Sequence, residues 1–284
     1  MIEAGLVLEG GGMRGIYTAG VLDYFMDKGL QFSACYGVSM GACNLCSYIS
    51  GQRGRAAAVT LDYLDDPEYW GIRPFVKTGD LFNVQMAYTD IPMVLNPFDF
   101  EAARNYPGKA YAVITDVETG KAVFAPINDL KNSMDVVRAS ASMPLVSRLV
   151  EIDGKKYLDG GIADCIPIMQ SLKDGNKKNV VVMTKERGYV RKPFGLLPMA
   201  KIKYRRYPEM VYDLKRRHIR YNKEVRFLER EHEKGNLFLI RPSSGCGVGR
   251  IEKDREKLEA LYELGYKDAR ACYDDMMRYL EKEE

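Results

Sequence analysis

The feature that most constrains this chain is the stretch Tyr36-Gly37-Val38-Ser39-Met40-Gly41-Ala42. An apolar run precedes it and a helix-like apolar pattern follows, so it predicts a strand, a sharp turn carrying Ser39, and a helix. Gly37 and Gly41 provide the small side chains that a tight turn of this kind needs. A G-x-S-x-G turn exposes the serine hydroxyl at the end of a strand, where a substrate can reach it. If that hydroxyl is a nucleophile, another part of the chain must supply its partner.

The segments around this turn predict the fold class. Residues 5–8 form a short apolar run before a glycine cluster, and residues 14–30 carry the apolar stripe of a helix. Residues 32–36 predict the strand that delivers Ser39, and the helix after it is expected to end at Gly51. Alternation of strand and helix is typical of an α/β protein with a parallel sheet. We therefore expect a three-layer α/β/α domain with a mainly parallel central sheet.

The middle of the chain is expected to add antiparallel strand pairs and a cleft wall. Turn signals at Glu118-Thr119-Gly120 and at Asp153-Gly154 predict two hairpins. Residues 65–100 mix prolines with aromatic residues, so we expect loops and short helices there that line a cleft. Residues 180–183 predict a further buried strand.

Basic residues are unevenly distributed along the 284 residues. The net charge is +3, yet residues 185–230 hold 15 basic and 5 acidic side chains. Their net charge of +10 contrasts with −4 over residues 1–184 and −3 over residues 231–284. A concentrated basic segment attracts phosphate groups, whether on lipid headgroups or on nucleic acid.

The change in composition near residue 189 predicts two regions. Residues 1–188 form the α/β domain that carries Ser39, and residues 189–284 form a mostly helical basic extension that contributes one strand, at 237–240. One long helix is expected in the extension, with an apolar face and a face rich in Lys and Arg. A last helix is expected over residues 252–280, broken or bent at Gly265.

The glycine cluster allows two interpretations. Gly10, Gly12 and Gly15 match the dinucleotide-binding pattern G-x-G-x-x-G between a strand and a helix. That fold also needs an acidic residue about 20 positions later to hold a ribose, and the second strand ends at Ser39 without a carboxylate. The backbone amides of residues 10–13 can instead stabilise an oxyanion at a helix N-terminus. We favour the oxyanion interpretation, and a non-hydrolytic nucleotide-binding protein is the alternative.

A serine nucleophile needs a base, and the chain offers few candidates. Its two histidines, His218 and His232, lie in or beside the basic helix, where solvated or packed histidines are the ordinary case. Asp159 follows a predicted strand and precedes two glycines, which let a substrate approach closely. We therefore favour Asp159 as the base, and a Ser-His-Asp esterase or thioesterase that uses His218 or His232 is the alternative.

Four blocks occur in order between residues 5 and 168: Gly10-Gly11-Gly12-Met13-Arg14-Gly15, Gly37-Val38-Ser39-Met40-Gly41, Ala139-Ser140 with Pro144, and Asp159-Gly160-Gly161. Together they resemble the patatin-like lipid acyl hydrolases, and residues 190–284 resemble the helical C-terminal extension of a bacterial subgroup. The resemblance implies a Ser-Asp dyad that cleaves phospholipid or other lipid esters through an acyl-enzyme, without a histidine base, metal or cofactor. On this chain it implies Ser39 as the nucleophile, Asp159 as the base, and an oxyanion hole formed by Gly10, Gly11, Gly12, Met13 and Arg14.

Two positions depart from that pattern. Many members of the family have Asp before the triple glycine, where this chain has Glu9, and many have Asn shortly after the D-G-G, where this chain has Cys165. Neither change removes a proposed catalytic group, and both leave the substrate preference open.

Cys43 and Cys46 have the spacing of a redox or metal pair, but no second pair accompanies them and their segment is helical. We interpret them as packed thiols.

The expected partner is a lipid ester, and no nucleic-acid partner is expected because no known recognition module is present. The basic segment 201–230 is either a solvated helix face or a surface for peripheral contact with an anionic membrane. No apolar run reaches the length of a membrane-spanning helix, and the N-terminus has no signal-peptide pattern. With six cysteines and no disulfide framework, we expect a cytoplasmic protein that binds membranes peripherally at most.

Overall fold

The computed structural model describes residues 1–131, 133–245 and 247–282. Eight strands among these residues form one sheet, in the order β5-β6-β3-β2-β1-β7-β8 with β4 paired to β3 off this path. The strands are β1 (Ile2–Leu8), β2 (Phe32–Val38), β3 (Lys109–Asp116), β4 (Ala122–Pro126), β5 (Val150–Ile152), β6 (Lys155–Asp159), β7 (Asn179–Val182) and β8 (Phe238–Ile240).

The sheet combines a parallel part with an antiparallel edge. Strands β3, β2, β1, β7 and β8 pair in parallel, whereas β4, β6 and β5 pair antiparallel at one side. The predicted hairpins are confirmed as β3–β4 and β5–β6, and the mainly parallel sheet is confirmed as well. Because parallel strands are covered on both faces, their sequences read as continuous apolar runs rather than alternating ones.

Helices cover both faces of the sheet. The α-helices are α1 (Ile16–Asp27), α2 (Met40–Ile49), α3 (Arg55–Leu61), α4 (Ile72–Thr78), α5 (Phe100–Arg104), α6 (Asp135–Ala141), α7 (Ile168–Lys173), α8 (Leu197–Lys203), α9 (Pro208–Glu233), α10 (Arg255–Ala271) and α11 (Tyr273–Glu281). In β1, Leu6 and Leu8 are buried in the same cluster as residues of α1, α2 and α10. The neighbouring Val7 packs on the other face, with residues of α7 and α9. This alternation confirms the three layers.

The last helix differs from its prediction, because it is not broken at Gly265. Helix α10 runs through Gly265 without interruption and ends at Ala271. Cys272 separates it from α11. A β-carbon at Gly265 would lie 2.1 Å from the carbonyl oxygen of Tyr17 in α1, and one at Gly20 would lie 2.1 Å from that of Tyr262 in α10. The two glycines therefore permit close contact between α1 and α10, which a pattern of helix breakers cannot indicate.

Two other segments differ from the sequence-based expectation. Residues 12–15 form a 3₁₀ turn, so the first α-helix begins at Ile16 rather than at Arg14. The stretch expected to hold loops and short helices contains α4 and also a ten-residue π-helix, Met86–Leu95, with Pro92 inside it. A π-helix has no 3.6-residue apolar period by which a sequence could predict it.

The C-terminal extension packs directly on the rest of the chain. Strand β8 pairs with β7 and so continues the central sheet, and α10 packs on α1. The division at residue 188 stays a prediction. Among the described residues, none of the helices combines the length and the apolar character that a bilayer crossing requires.

Candidate active site

Ser39 occupies the turn between β2 and α2 in a strained backbone conformation. Its φ of 55° and ψ of −123° lie outside the regions that non-glycine residues ordinarily adopt. The flanking glycines have little room for a side chain. A β-carbon would lie 2.7 Å from Ala42 Cα at Gly37, and 2.8 Å from the Leu8 carbonyl oxygen at Gly41. Close packing around Ser39 therefore explains the G-x-S-x-G pattern.

Ser140 holds the Ser39 backbone in place. The amide of Ser39 donates to Ser140 Oγ at 2.9 Å, and that hydroxyl donates to the Val113 carbonyl oxygen at 2.7 Å. Both contacts are buried, and they tie α6 to the turn and to β3. The Ala139-Ser140 block was visible in the sequence, but its supporting role was not, because it depends on contacts more than 20 residues away.

Asp159 at the end of β6 lies beside the serine hydroxyl. Ser39 Oγ donates to Asp159 Oδ2 at 2.9 Å, and the Gly161 amide donates to Asp159 Oδ1 at 2.7 Å. Only 7% of Ser39 and 5% of Asp159 is exposed. The two residues singled out from the sequence are thus brought together, and their catalytic roles stay predictions.

The glycine loop lies next to this pair, but its amides are not equally available. The Gly10 amide donates to the Cys165 carbonyl oxygen at 3.4 Å, and the Met13 amide donates to that of Arg250 at 3.0 Å. Within the described ranges, the amides of Gly11 and Gly12 have no hydrogen-bond partner. A β-carbon at Gly10 would lie 3.2 Å from Ser39 Cβ, so the loop adjoins the nucleophile candidate.

The side chain of Arg14 points elsewhere. It lines a separate cleft together with Lys185 and the loop around Ser244. Burial lowers the pKa of Arg14, and Nε has no hydrogen-bond partner among the described residues. The predicted oxyanion hole of residues 10–14 stays a prediction, and in this conformation Gly11 and Gly12 are its available donors.

Ser39 opens onto a cavity of about 130 Å³. Its walls are mostly apolar side chains from α2, α3, α6 and the segment around the π-helix. They include Met40, Val59, Tyr69, Phe82, Tyr88, Ile91, Pro92, Met134, Val137 and Met143. The expectation that residues 65–100 line a cleft is therefore confirmed. Arg250 and Ile251 of the C-terminal extension close the cavity near Gly12.

Glu9 and Cys165, which depart from the family pattern, are both buried and hydrogen-bonded. Glu9 is fully buried and accepts hydrogen bonds from the Thr184 amide at 2.7 Å and the Tyr221 hydroxyl at 2.8 Å. Cys165 Sγ donates to the Gly161 carbonyl oxygen at 3.0 Å, and Arg191 Nη1 lies 3.1 Å from the same sulfur. Both residues thus support the loops that carry the glycine cluster and Asp159.

The histidines lie away from Ser39. His232 Nδ1 is 3.3 Å from the Leu237 carbonyl oxygen, and its ring packs edge-on against Phe238. His218 lies on α9, and its Nδ1 is buried without a hydrogen-bond partner in the described structure. Neither histidine lines the cavity of Ser39.

Cys43 and Cys46 are free thiols on α2. Cys43 lines the cavity, and burial raises the pKa of its thiol to about 12, so it is neutral near pH 7. The described residues contain no group of three or more His, Cys, Asp or Glu side chains placed to hold a metal ion.

Comparison with known families agrees with this arrangement. A family model described as Patatin-like phospholipase matches residues 6–172, more than half of the chain, including Ser39 and Asp159. The chain belongs to the patatin-like phospholipase family. A second model, described as a domain of unknown function (DUF6363), matches residues 207–281. Membership of a phospholipase family favours lipid hydrolysis in general terms.

Relatives extend this assignment. The uncharacterized protein YjjU of Escherichia coli is 36% identical over 186 residues, which are 63% of this chain and 51% of that protein. An uncharacterized NTE family protein of Mycobacterium tuberculosis is 25% identical over 174 residues, 57% of this chain and 44% of that protein. The aligned part thus spans about half the length of these relatives.

A solved structure supports the fold. VipD from Legionella pneumophila aligns with a TM-score of 0.53 at 15% identity, covering 96% of this chain and 67% of VipD. At this identity the similarity concerns the fold alone. It agrees with an α/β patatin-like fold followed by a helical C-terminal region.

Proposed function

We propose that this protein is a serine acyl hydrolase that cleaves carboxylic esters of lipids, of the phospholipase A, lysophospholipase or esterase type. The observation that carries the proposal is the 2.9 Å hydrogen bond from Ser39 Oγ to Asp159 Oδ2 at the mouth of an apolar cavity. A hydroxyl bonded to a carboxylate is poised to lose its proton as it attacks. The cavity suits an acyl chain, because its walls are apolar.

The reaction is proposed to begin with attack of Ser39 Oγ on the ester carbonyl carbon, while Asp159 takes the hydroxyl proton. The oxyanion that forms accepts hydrogen bonds from the amides of Gly11 and Gly12, which have no other partner among the described residues. The carbon–oxygen bond to the alcohol then breaks, and Asp159 returns the proton to the leaving alkoxide. Asp159 then takes a proton from water, the hydroxide attacks the acyl carbon, and the bond from that carbon to Ser39 Oγ breaks. Asp159 returns its proton to Ser39 Oγ, and a fatty acid is released.

The rival interpretations have less support. A Ser-His-Asp esterase needs a histidine within hydrogen-bond reach of the serine, whereas the partner of Ser39 Oγ is Asp159. A dinucleotide would have to lie over Gly12, and the carbonyl oxygen of Arg250 would be 2.5 Å from a β-carbon built there. The glycine loop therefore has little open surface for a pyrophosphate.

We also propose that the protein is cytoplasmic and contacts anionic membranes through residues 201–230.

Labelling with a fluorophosphonate probe tests the mechanism, since such probes form a covalent bond with an activated serine. We expect Ser39→Ala to abolish labelling and Asp159→Asn to slow it by about a hundredfold or more, in line with loss of a general base. The variants His218→Ala and His232→Ala are matched controls and should label and hydrolyse esters as wild type does. Labelling that survives in Ser39→Ala, or is lost in a histidine variant, would contradict the proposal.

A further inference from the structure

Two arginines of the C-terminal extension lie beside the Ser39–Asp159 pair. Arg217 of α9 reaches the D-G-G turn: a β-carbon at Gly161 would lie 2.7 Å from Arg217 Nη2 and 3.0 Å from Asp159 Oδ1. The guanidinium and the carboxylate therefore flank the same backbone position. Arg217 Nε donates to Cys165 Sγ at 3.4 Å, and within the described ranges Arg217 forms no ion pair.

Arg250 approaches the same centre from the segment that follows β8. Its Cγ would lie 2.7 Å from a β-carbon at Gly12, so its side chain covers the glycine loop. Arg250 also lines the cavity onto which Ser39 opens. In the part of the chain that the structure describes, its guanidinium has neither a hydrogen bond nor an ion pair.

The local balance of charge is positive. Arg14 and Arg191 act on Arg250 as further positive charges, and Glu9 and Asp159 are the negative charges nearby. Asp164 and Glu224 line a pocket together with Arg217, and burial raises the pKa of both carboxyls. Glu9 is already engaged by Thr184, Tyr221 and Arg191, the last at 3.6 Å, and Asp159 accepts from Ser39 and Gly161.

Among the described residues, neither Arg217 nor Arg250 forms an ion pair with a carboxylate. Burial, and next the charge of Arg217, lower the pKa of Arg250 to about 10. Partly buried like charges of this kind repel one another, and a bound anion would offset that cost.

We propose that Arg217 and Arg250 bind a phosphate group carried by the substrate, adjacent to the ester that Ser39 attacks. Phosphate suits two guanidinium groups that come from different elements, because its oxygens accept paired hydrogen bonds from each. The phosphate belongs to the lipid headgroup, since Arg250 shares the cavity with Ser39 and an acyl chain there would place the headgroup at its rim. This inference rests on the proposed hydrolase function. It means that residues of the C-terminal extension help to select the substrate.

Two substrates that differ only in the phosphate test it: a 1-acylglycerol 3-phosphate and the 1-acylglycerol with the same acyl chain. We expect wild type to show a kcat/KM at least tenfold higher for the phosphorylated substrate. Arg217→Gln and Arg250→Gln should each lower that ratio by about tenfold, mainly through KM, and Arg250→Lys should restore part of it. The matched control is Arg226→Gln, an exposed arginine of α9, which should keep the wild-type ratio. A ratio that is unchanged in both Gln variants would overturn the proposal.

A binding measurement separates this inference from the proposed chemistry. Calorimetry with Ser39→Ala protein and glycerol 3-phosphate needs no turnover. We expect binding that is lost with Arg217→Gln or Arg250→Gln added and kept with Arg226→Gln, while glycerol does not bind. Thermal melting confirms that each variant is folded.

If neither ester is cleaved but this binding pattern holds, the hydrolase proposal fails and the phosphate subsite stands. If inorganic phosphate inhibits hydrolysis of both esters equally in wild type, the site serves a free anion, and the headgroup assignment is wrong.

Discussion

At the scale of single residues, Gly12 connects the glycine loop to the C-terminal extension. Its φ is +59°, and a β-carbon there would lie 2.5 Å from the Arg250 carbonyl oxygen. Gly29 has a similar φ of +65° with nothing within 4 Å of the same position. The two glycines therefore separate the cost of backbone strain from the cost of a steric clash.

We expect Gly12→Ala to destabilise the protein more than Gly29→Ala. In both variants an alanine in the left-handed conformation costs about 1–2 kcal/mol of stability. Only Gly12→Ala must also displace the Arg250 segment. The difference in the free energy of unfolding, measured in urea, should exceed about 1 kcal/mol. Ester turnover should fall only in Gly12→Ala, because the neighbouring amides shift. Equal losses of stability would mean that the Arg250 segment moves aside freely.

Only part of the site could be predicted from the sequence. Ser39, Asp159 and the glycine loop were found because each lies in a short motif with its own local signal. Arg217 and Arg250 carry no such signal, and the Ala139-Ser140 block did not reveal the contacts of Ser140. All three residues reach the site through tertiary contacts, in the case of Arg250 with a loop more than 230 residues earlier. The occupation of the Met13 amide by Arg250 could not be predicted for the same reason.

At the scale of elements, the strands and hairpins were predictable because apolar runs and turn residues are local. The crossing of α1 and α10 was not, because a glycine within a helix predicts a bend as readily as a close contact. Here Gly20 and Gly265 each point at a carbonyl oxygen of the opposite helix. The side-chain contacts agree: Tyr17 donates to Asp268 at 3.0 Å, and Tyr262 donates to Asp23 at 2.6 Å.

Gly265→Ala tests this interpretation of the crossing. In an open helix the change would stabilise by about 1 kcal/mol. Because a β-carbon would lie 2.1 Å from the Tyr17 carbonyl oxygen, we expect a loss of about 1–3 kcal/mol instead, measured by urea unfolding. The control is Gly195→Ala, with nothing within 4 Å of its β-carbon position, which should be neutral or slightly stabilising. Stabilisation by Gly265→Ala would show that α1 and α10 can separate at little cost.

At the scale of the whole molecule, the basic segment and an exposed apolar strip occur together near the cavity. Leu196, Met199 and Ile202 of the α8 region are 51%, 58% and 73% exposed, and Lys201, Arg205 and Arg206 lie among or just after them. Helix α8 adjoins Leu145, whose amide donates to the Tyr204 hydroxyl at 2.8 Å.

Met143, two residues before Leu145, lines the cavity of Ser39. An interface-binding surface at α8 would therefore hold the cavity close to the lipid.

Vesicle co-sedimentation measures whether this surface binds a membrane. We expect binding to vesicles that contain phosphatidylglycerol, weaker binding to pure phosphatidylcholine, and loss of the difference at high salt, because exposed charges are screened. Each basic residue near an anionic surface contributes about 1 kcal/mol, so Arg205→Gln with Arg206→Gln should weaken binding about 30-fold. The pair Lys267→Gln and Arg270→Gln, exposed on α10, removes the same charge elsewhere and should have little effect. Equal weakening by both pairs would mean that net charge, rather than the surface at α8, governs membrane binding.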